Sequence, residues 1–227
     1  MISFFELSGK NRQLSASAQI IFDLSFSKPQ KQPNFAANLK KMTTLYLTRH
    51  GETVENVQHI LQGHLPGTLT AKGIEQAQTL RDKLQGEKFD AIVVSDLKRT
   101  VDTARIVAEP HQQELILTPL LRERDWGSLT GAYIPDVRDK QFPANTETVE
   151  ALFLRAHLFL EYIITEFPNK KVLAIGHGLF NRTILAALEG KTIREITPFS
   201  NAEVRIVSLT PEMLTSGNQQ EDTKADN

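Results

Sequence analysis

Thr43-Thr44-Leu45-Tyr46-Leu47-Thr48-Arg49-His50-Gly51 opens as a short apolar run and closes on polar residues. That pattern is a buried strand feeding a loop. Residues 171–177, KVLAIGH, have the same build and again place a histidine, His177, where strand becomes loop. Residues 90–96 (DAIVVSD), 114–118 (ELILT) and 202–210 (AEVRIVSLT) read as further strands, rich in β-branched residues. Between them lie helical segments. Residues 71–85 carry an apolar stripe of Ile74, Ala77, Leu80 and Leu84. Residues 97–109 follow Asp96, a candidate N-cap. Residues 148–167 form a long helix stopped near Pro168, and residues 179–189 a helix closed by Gly190.

Strands alternating with helices predict an α/β fold, a three-layer α/β/α sandwich with a mostly parallel central sheet. Such sheets place their sites in the crevice outside the carboxyl ends of the strands. Arg49-His50-Gly51 and Gly176-His177-Gly178 are two such ends.

The chemistry of those ends suits phosphate. The Arg49 guanidinium offers a planar fork for phosphate oxygens. His50, unprotonated, is a capable nucleophile toward phosphorus. Gly51 allows close backbone approach. Thr53 and Asn56 supply small polar groups suited to anion contacts. In Ser95-Asp96-Leu97-Lys98-Arg99-Thr100, Arg99 lies one turn into a helix whose N-terminus also favours anions. Its ordinary alternative is an ion pair with Asp96 or Asp102. Glu123, within Leu121-Arg122-Glu123-Arg124, is a carboxyl placed to protonate a leaving oxygen. His177, between glycines, can donate to a transferring phosphoryl group, where positioning and charge dominate catalysis. His59, His64, His111 and His157 are given ordinary packed or surface roles, although His59 and His64 bracket a glycine-containing loop at the crevice mouth. Trp126 is read as core or pocket wall.

Composition narrows the partners. The 227 residues are 40% hydrophobic and 23% charged, with a net charge of -1, which argues against a broad nucleic-acid surface. The absence of cysteine excludes disulfides and thiolate chemistry. No run reaches the roughly 20 apolar residues of a membrane span, and a cytoplasmic location is expected. No metal-binding motif is seen and no cofactor is expected. Residues 1–41 hold six Lys or Arg against two acids, net +4, which leaves -5 for the remainder. They are expected to be an extension outside the fold, followed by a catalytic domain at 42–210 and a disordered tail at 211–227. Both a monomer and a homodimer through an edge strand are open.

The ordered set RHGET (49–53) with Asn56, SDLKRT (95–100), LRER (121–124) and GHG (176–178) resembles the histidine phosphatase superfamily, also called phosphoglycerate-mutase-like. The resemblance covers about Thr43 to Leu209. It implies that His50 is phosphorylated, that Arg49, Arg99 and His177 form the phosphate pocket with Gly51 and Gly178, that Glu123 donates a proton and that Asn56 supports substrate. It also implies an α/β/α fold and no required metal. The brief stretch from Glu123 to Val149 is similar to the phosphatase branch, with a small phosphorylated metabolite as substrate. A phosphoglycerate mutase and a non-catalytic phosphate-binding protein are the alternatives. Asn145-Thr146-Glu147-Thr148 and Glu203 depart from the family's usual pattern and bear on substrate contacts. Residues 57–68 and 125–147 are expected to shape specificity.

Overall fold

A computed structural model describes residues 42–215. The sequence readings for 1–41 and for 216–227 lie outside those residues. Five strands form the sheet: β1 (Thr43–Arg49), β2 (Ala91–Ser95), β3 (Leu115–Thr118), β4 (Lys171–Gly176) and β5 (Val204–Leu209). Their order is β3-β2-β4-β1-β5. β1 and β4, β2 and β4, and β2 and β3 pair in parallel, while β5 runs antiparallel to β1 at one edge. The helices are α1 (Val54–Val57), α2 (Ala71–Leu84), α3 (Lys98–Ala108), α4 (Ile134–Val137), α5 (Val149–Glu166), α6 (Gly178–Glu189) and α7 (Glu212–Thr215). The single turn α7 lies within the segment read as a tail.

Alternation along the strands builds the three layers. Leu45, Leu47, Val93, Val172 and Ala174 join Leu152, Phe159, Ile163 and Phe180 of α5 and α6. Tyr46, Ile92, Val94, Leu173 and Ile175 join Ala77, Leu80, Leu84, Ala104 and Val107 of α2 and α3. The central strands are therefore apolar on both faces, as a covered parallel sheet requires. Fully burying one of these large side chains, such as Phe159 at 0% exposure, stabilises by about 1.5–3 kcal/mol.

Two local expectations are corrected. Ile74 is 40% exposed, and Gly73 takes the inward position instead. A Cβ on Gly73 would stand 2.0 Å from the Glu52 carbonyl oxygen, so the helix meets the backbone after β1 there and has no room for a side chain. Asp96 does not cap α3. Leu97 is the N-cap, and Asp96 accepts from Nε and Nη2 of Arg122 at 2.7 and 2.5 Å. A bidentate pair with a guanidinium outcompetes a single cap bond. The Arg99 amide of α3 is satisfied by the Pro66 carbonyl at 3.0 Å.

Candidate active site

The sheet register brings the two histidines together. β1 and β4 are neighbours with Arg49 opposite Gly176, so His50 and His177 leave adjacent parallel strands at the same level. The His50 amide continues the ladder by donating to the Gly176 carbonyl at 3.1 Å. The two imidazole centroids are 5.3 Å apart.

Hydrogen bonds assign the tautomers. His50 Nδ1 lies 2.7 Å from the Gly51 carbonyl oxygen, which can only accept. Nδ1 therefore carries the proton and the lone pair is on Nε2. Arg99 Nε donates to that Nε2 at 3.3 Å. Arg99 Nη2 donates to His177 Nδ1 at 3.0 Å, so the His177 proton is on Nε2 and is given to Ser95 Oγ at 2.8 Å. One guanidinium thus faces the lone pairs of both rings.

Charge and burial keep both rings neutral. Burial pushes the His50 pKa well below its usual value, and the Arg99 and Arg49 charges push it further, against the Gly51 carbonyl. Burial likewise depresses His177, followed by Arg99, His50, Arg155 and His64. Arg99 itself is lowered to about 10 by burial, and it stays cationic at neutral pH. Burial lowers the Arg49 pKa as well, opposed by Glu123 and Glu203.

Arg49 donates through Nη1 to the Phe199 carbonyl at 2.7 Å, while its buried Nε has no hydrogen-bond partner. Gly178 lies against it: a Cβ there would stand 3.2 Å from Arg49 Nε. An unpaired buried donor between two histidine-bearing loops is a place where an anion's oxygen fits. The Glu123 carboxylate accepts from Leu179 N and Phe180 N at the start of α6, both at 3.1 Å. A helix N-terminus suits that negative charge.

Several expectations change in detail. Both imidazoles were read as opening onto a crevice, yet His50 is 3% exposed and His177 fully buried. The cause is the loop around residues 61–67, drawn down by Arg99 onto the carbonyls of Leu65 (2.5 Å) and Gly63 (2.9 Å). Thr53 and Asn56 form a capping box on α1. The Asn56 carboxamide oxygen also accepts from Asn201 Nδ2 at 3.3 Å, and Asn201 donates to the His50 carbonyl at 3.2 Å. Thr53 Oγ1 accepts from the Asn56 amide in that cap. His64 has more than an ordinary role, because its Nε2 donates to the Glu123 carbonyl at 3.0 Å. Ser95, quoted in the sequence without a part, and Asn201, just before the last strand, also contact the site. The signal for Ser95 was its place at the carboxyl end of a buried strand. Among the described residues no three His, Asp or Glu side chains are grouped to hold a metal ion.

Gly51 is required for a reason internal to the chain. A Cβ there would sit 2.4 Å from the Gly73 carbonyl oxygen of α2. Gly51→Ala is expected to displace His50 and to lower kcat for an aryl phosphate by roughly 100-fold, read by steady-state phosphate release. Activity within threefold of the parent would show that the contact yields without moving the ring.

Most of the described chain is similar to known proteins. The chain is 35% identical over 153 residues to "Uncharacterized phosphatase PhoE" of Bacillus subtilis (strain 168), covering 66% of this chain and 79% of that protein. It is 42% identical over 164 residues to "Probable phosphoglycerate mutase GpmB" of Proteus mirabilis (strain HI4320), covering 66% and 76%. Among solved structures, Bacillus stearothermophilus YhfR superposes with a TM-score of 0.68 at 28% identity, covering 72% of this chain and 90% of that one. The family profile described as "Histidine phosphatase superfamily (branch 1)" spans residues 45–216, strand β1 through α7, and it is to this superfamily that the chain belongs.

Proposed function

We propose that the chain is a phosphomonoesterase acting on a small phosphorylated metabolite through a phosphohistidine at His50, with no metal taking part. The observation that carries this reading is the convergence of two neutral imidazole lone pairs on one guanidinium. In the mechanism, the phosphoryl oxygens take over the Arg99 N–H groups and the unpaired Arg49 Nε–H. Nε2 of His50 then lies free to form an N–P bond. The ester P–O bond breaks, its electron pair stays on the departing oxygen, and the Glu123 carboxyl supplies the proton. Water next attacks phosphorus, returns a proton to Glu123 and releases phosphate, restoring neutral His50. The chain is a phosphoric monoester hydrolase in this reading.

The 42% identity to a probable phosphoglycerate mutase supports a second reading, transfer of phosphate between positions of a phosphoglycerate. Against it stands the short path from Glu123 to α5, which holds only a 3₁₀ turn at Gly127–Leu129 and the single turn α4. One experiment separates the two: incubation with a panel of metabolite phosphates, including phosphoglycerates, while free phosphate and positional isomers are followed together. Free phosphate without isomerisation supports the hydrolase. Isomerisation without release overturns it, and tight anion binding with no turnover would make the protein a phosphate binder.

A further inference from the structure

Arg155 of α5 and Glu147, of the 145–148 stretch just before that helix, form a mostly buried ion pair. Arg155 Nε and Nη2 fork onto the two Glu147 carboxylate oxygens at 2.9 and 2.8 Å, with side chains only 17% and 16% exposed. Burying such a pair is a weak way to gain stability, because desolvation offsets much of the attraction. Its remaining contacts give it another purpose. Arg155 Nη1 also donates to the carbonyls of Leu120 at 3.0 Å and Arg122 at 2.6 Å. The guanidinium lies 3.9 Å over the Phe180 ring. Glu147 grips the other side: its amide donates to the Asp125 carbonyl at 2.8 Å, its Oε2 accepts from Asp125 N at 3.0 Å, and its carbonyl accepts from Arg124 Nε at 2.8 Å.

Apart from the bonds within the pair, each of these hydrogen bonds lands on residues 120–125, and Glu123 is in the middle of that stretch. Phe180, beneath the Arg155 guanidinium, is also the residue whose amide donates to the Glu123 carboxylate. A planar, five-donor guanidinium is suited to fixing a loop in this way, because little freedom is lost per bond formed. We infer that the Arg155–Glu147 pair is a positioning device that aims the Glu123 carboxyl at the departing oxygen of the substrate. This rests on the reading of Glu123 as the proton donor. Arg155 and Glu147 touch no substrate in it; their part in aiming the proton is played through Glu123, beside the smaller effect of the Arg155 charge on His177.

A proton donor matters most when the departing alcohol is a poor leaving group. Loss of aim should therefore be selective. For Arg155→Met, kcat/KM for ethyl phosphate is expected to fall by roughly 100-fold. For p-nitrophenyl phosphate, whose leaving group needs little protonation, the fall should stay within about threefold, with phenyl phosphate between. Glu147→Gln, which keeps the shape, should show the same steepening to a smaller degree, and it carries the test if Arg155→Met does not fold. Glu123→Gln is measured beside them. If Glu123→Gln steepens the series and neither Arg155→Met nor Glu147→Gln does, the positioning role is overturned while the Glu123 reading stands. If Glu123→Gln itself gives a uniform fall, the proton-donor reading fails, and the inference with it. A uniform loss across the series in the Arg155 and Glu147 variants alone would mark the pair as a purely structural support.

Discussion

His50→Ala is expected to lower kcat by roughly 10⁴-fold or more on any phosphate monoester the enzyme accepts, and to abolish attachment of acid-labile phosphate to the protein. The reason lies in where the protons are. Gly51 holds the proton on Nδ1, so the lone pair is on Nε2, and burial first, then Arg99 and Arg49, keep the ring unprotonated. His177 is likewise buried and neutral, and its Nδ1 lone pair also faces Arg99; what separates it from His50 in the proposed mechanism is that its Nε2 proton is held by Ser95. Alanine removes the bond-forming atom together with the Gly51 and Arg99 contacts of the ring. Rapid-quench labelling with a radioactive phosphate ester, followed by mass spectrometry of the peptide containing residue 50, reads both parts. Because His50 titrates well below the usual histidine range, labelling should not decline as pH falls from about 8 to about 6.5. Turnover retained in His50→Ala would remove the phosphohistidine from the mechanism.

The sequence made this candidate nucleophile legible because its position depends on a local pattern. An apolar run that ends in Arg-His-Gly must surface at a strand's carboxyl end, and a second run ending in Gly-His-Gly must do the same. That they are adjacent needed the sheet order, since β4 is inserted between β1 and β2 by pairing across more than a hundred residues. Gly51 was legible as a close-approach position but its partner was not. The approaching group is Gly73, and nothing in a local window reveals that two glycines must meet. The capping role of Asn56 was not legible from its place among the anion-contact residues, because Thr-x-x-Asn serves a helix start as well as it serves an anion. Ile74 fitted the apolar period of α2 yet faces outward, because the contact between Gly73 and the catalytic loop sets the rotation of the helix. Arg155 was invisible for the same reason at longer range: within α5 it is one polar residue of an amphipathic helix, and its partners lie in another loop.

Arg99→Met should be nearly as damaging as loss of His50 and should leave a second, independent signature in pH. The guanidinium is 1% exposed and uses Nε on His50, Nη2 on His177 and Gly63, and Nη1 on Leu65. As the group that meets the transferring phosphoryl oxygens, it is expected to contribute roughly 10³–10⁵ in kcat/KM, the range seen for arginines that neutralise phosphoryl charge. Arg99→Lys keeps the charge without the fork and should recover only part of that loss. The pH signature comes from the histidines. Burial is the first cause of their low pKa values and the Arg99 charge the second. Their folded values lie below the unfolded value of about 6.5, so beneath that pH the unfolded chain binds more protons. The stability they contribute is complete above about pH 6.5 and is lost as pH falls toward the folded values, at up to about 1.4 kcal/mol per pH unit for each ring. With the charge at position 99 removed, both folded values move up toward 6.5. The acid loss of stability then becomes smaller, while the acid limb of the pH–rate profile moves to higher pH. Urea unfolding of both proteins at a series of pH values, beside their rate profiles, measures the two shifts together. If the acid limb stays in place when Arg99 is replaced, its charge does not govern the nucleophile, and the guanidinium between the two rings is a packing element.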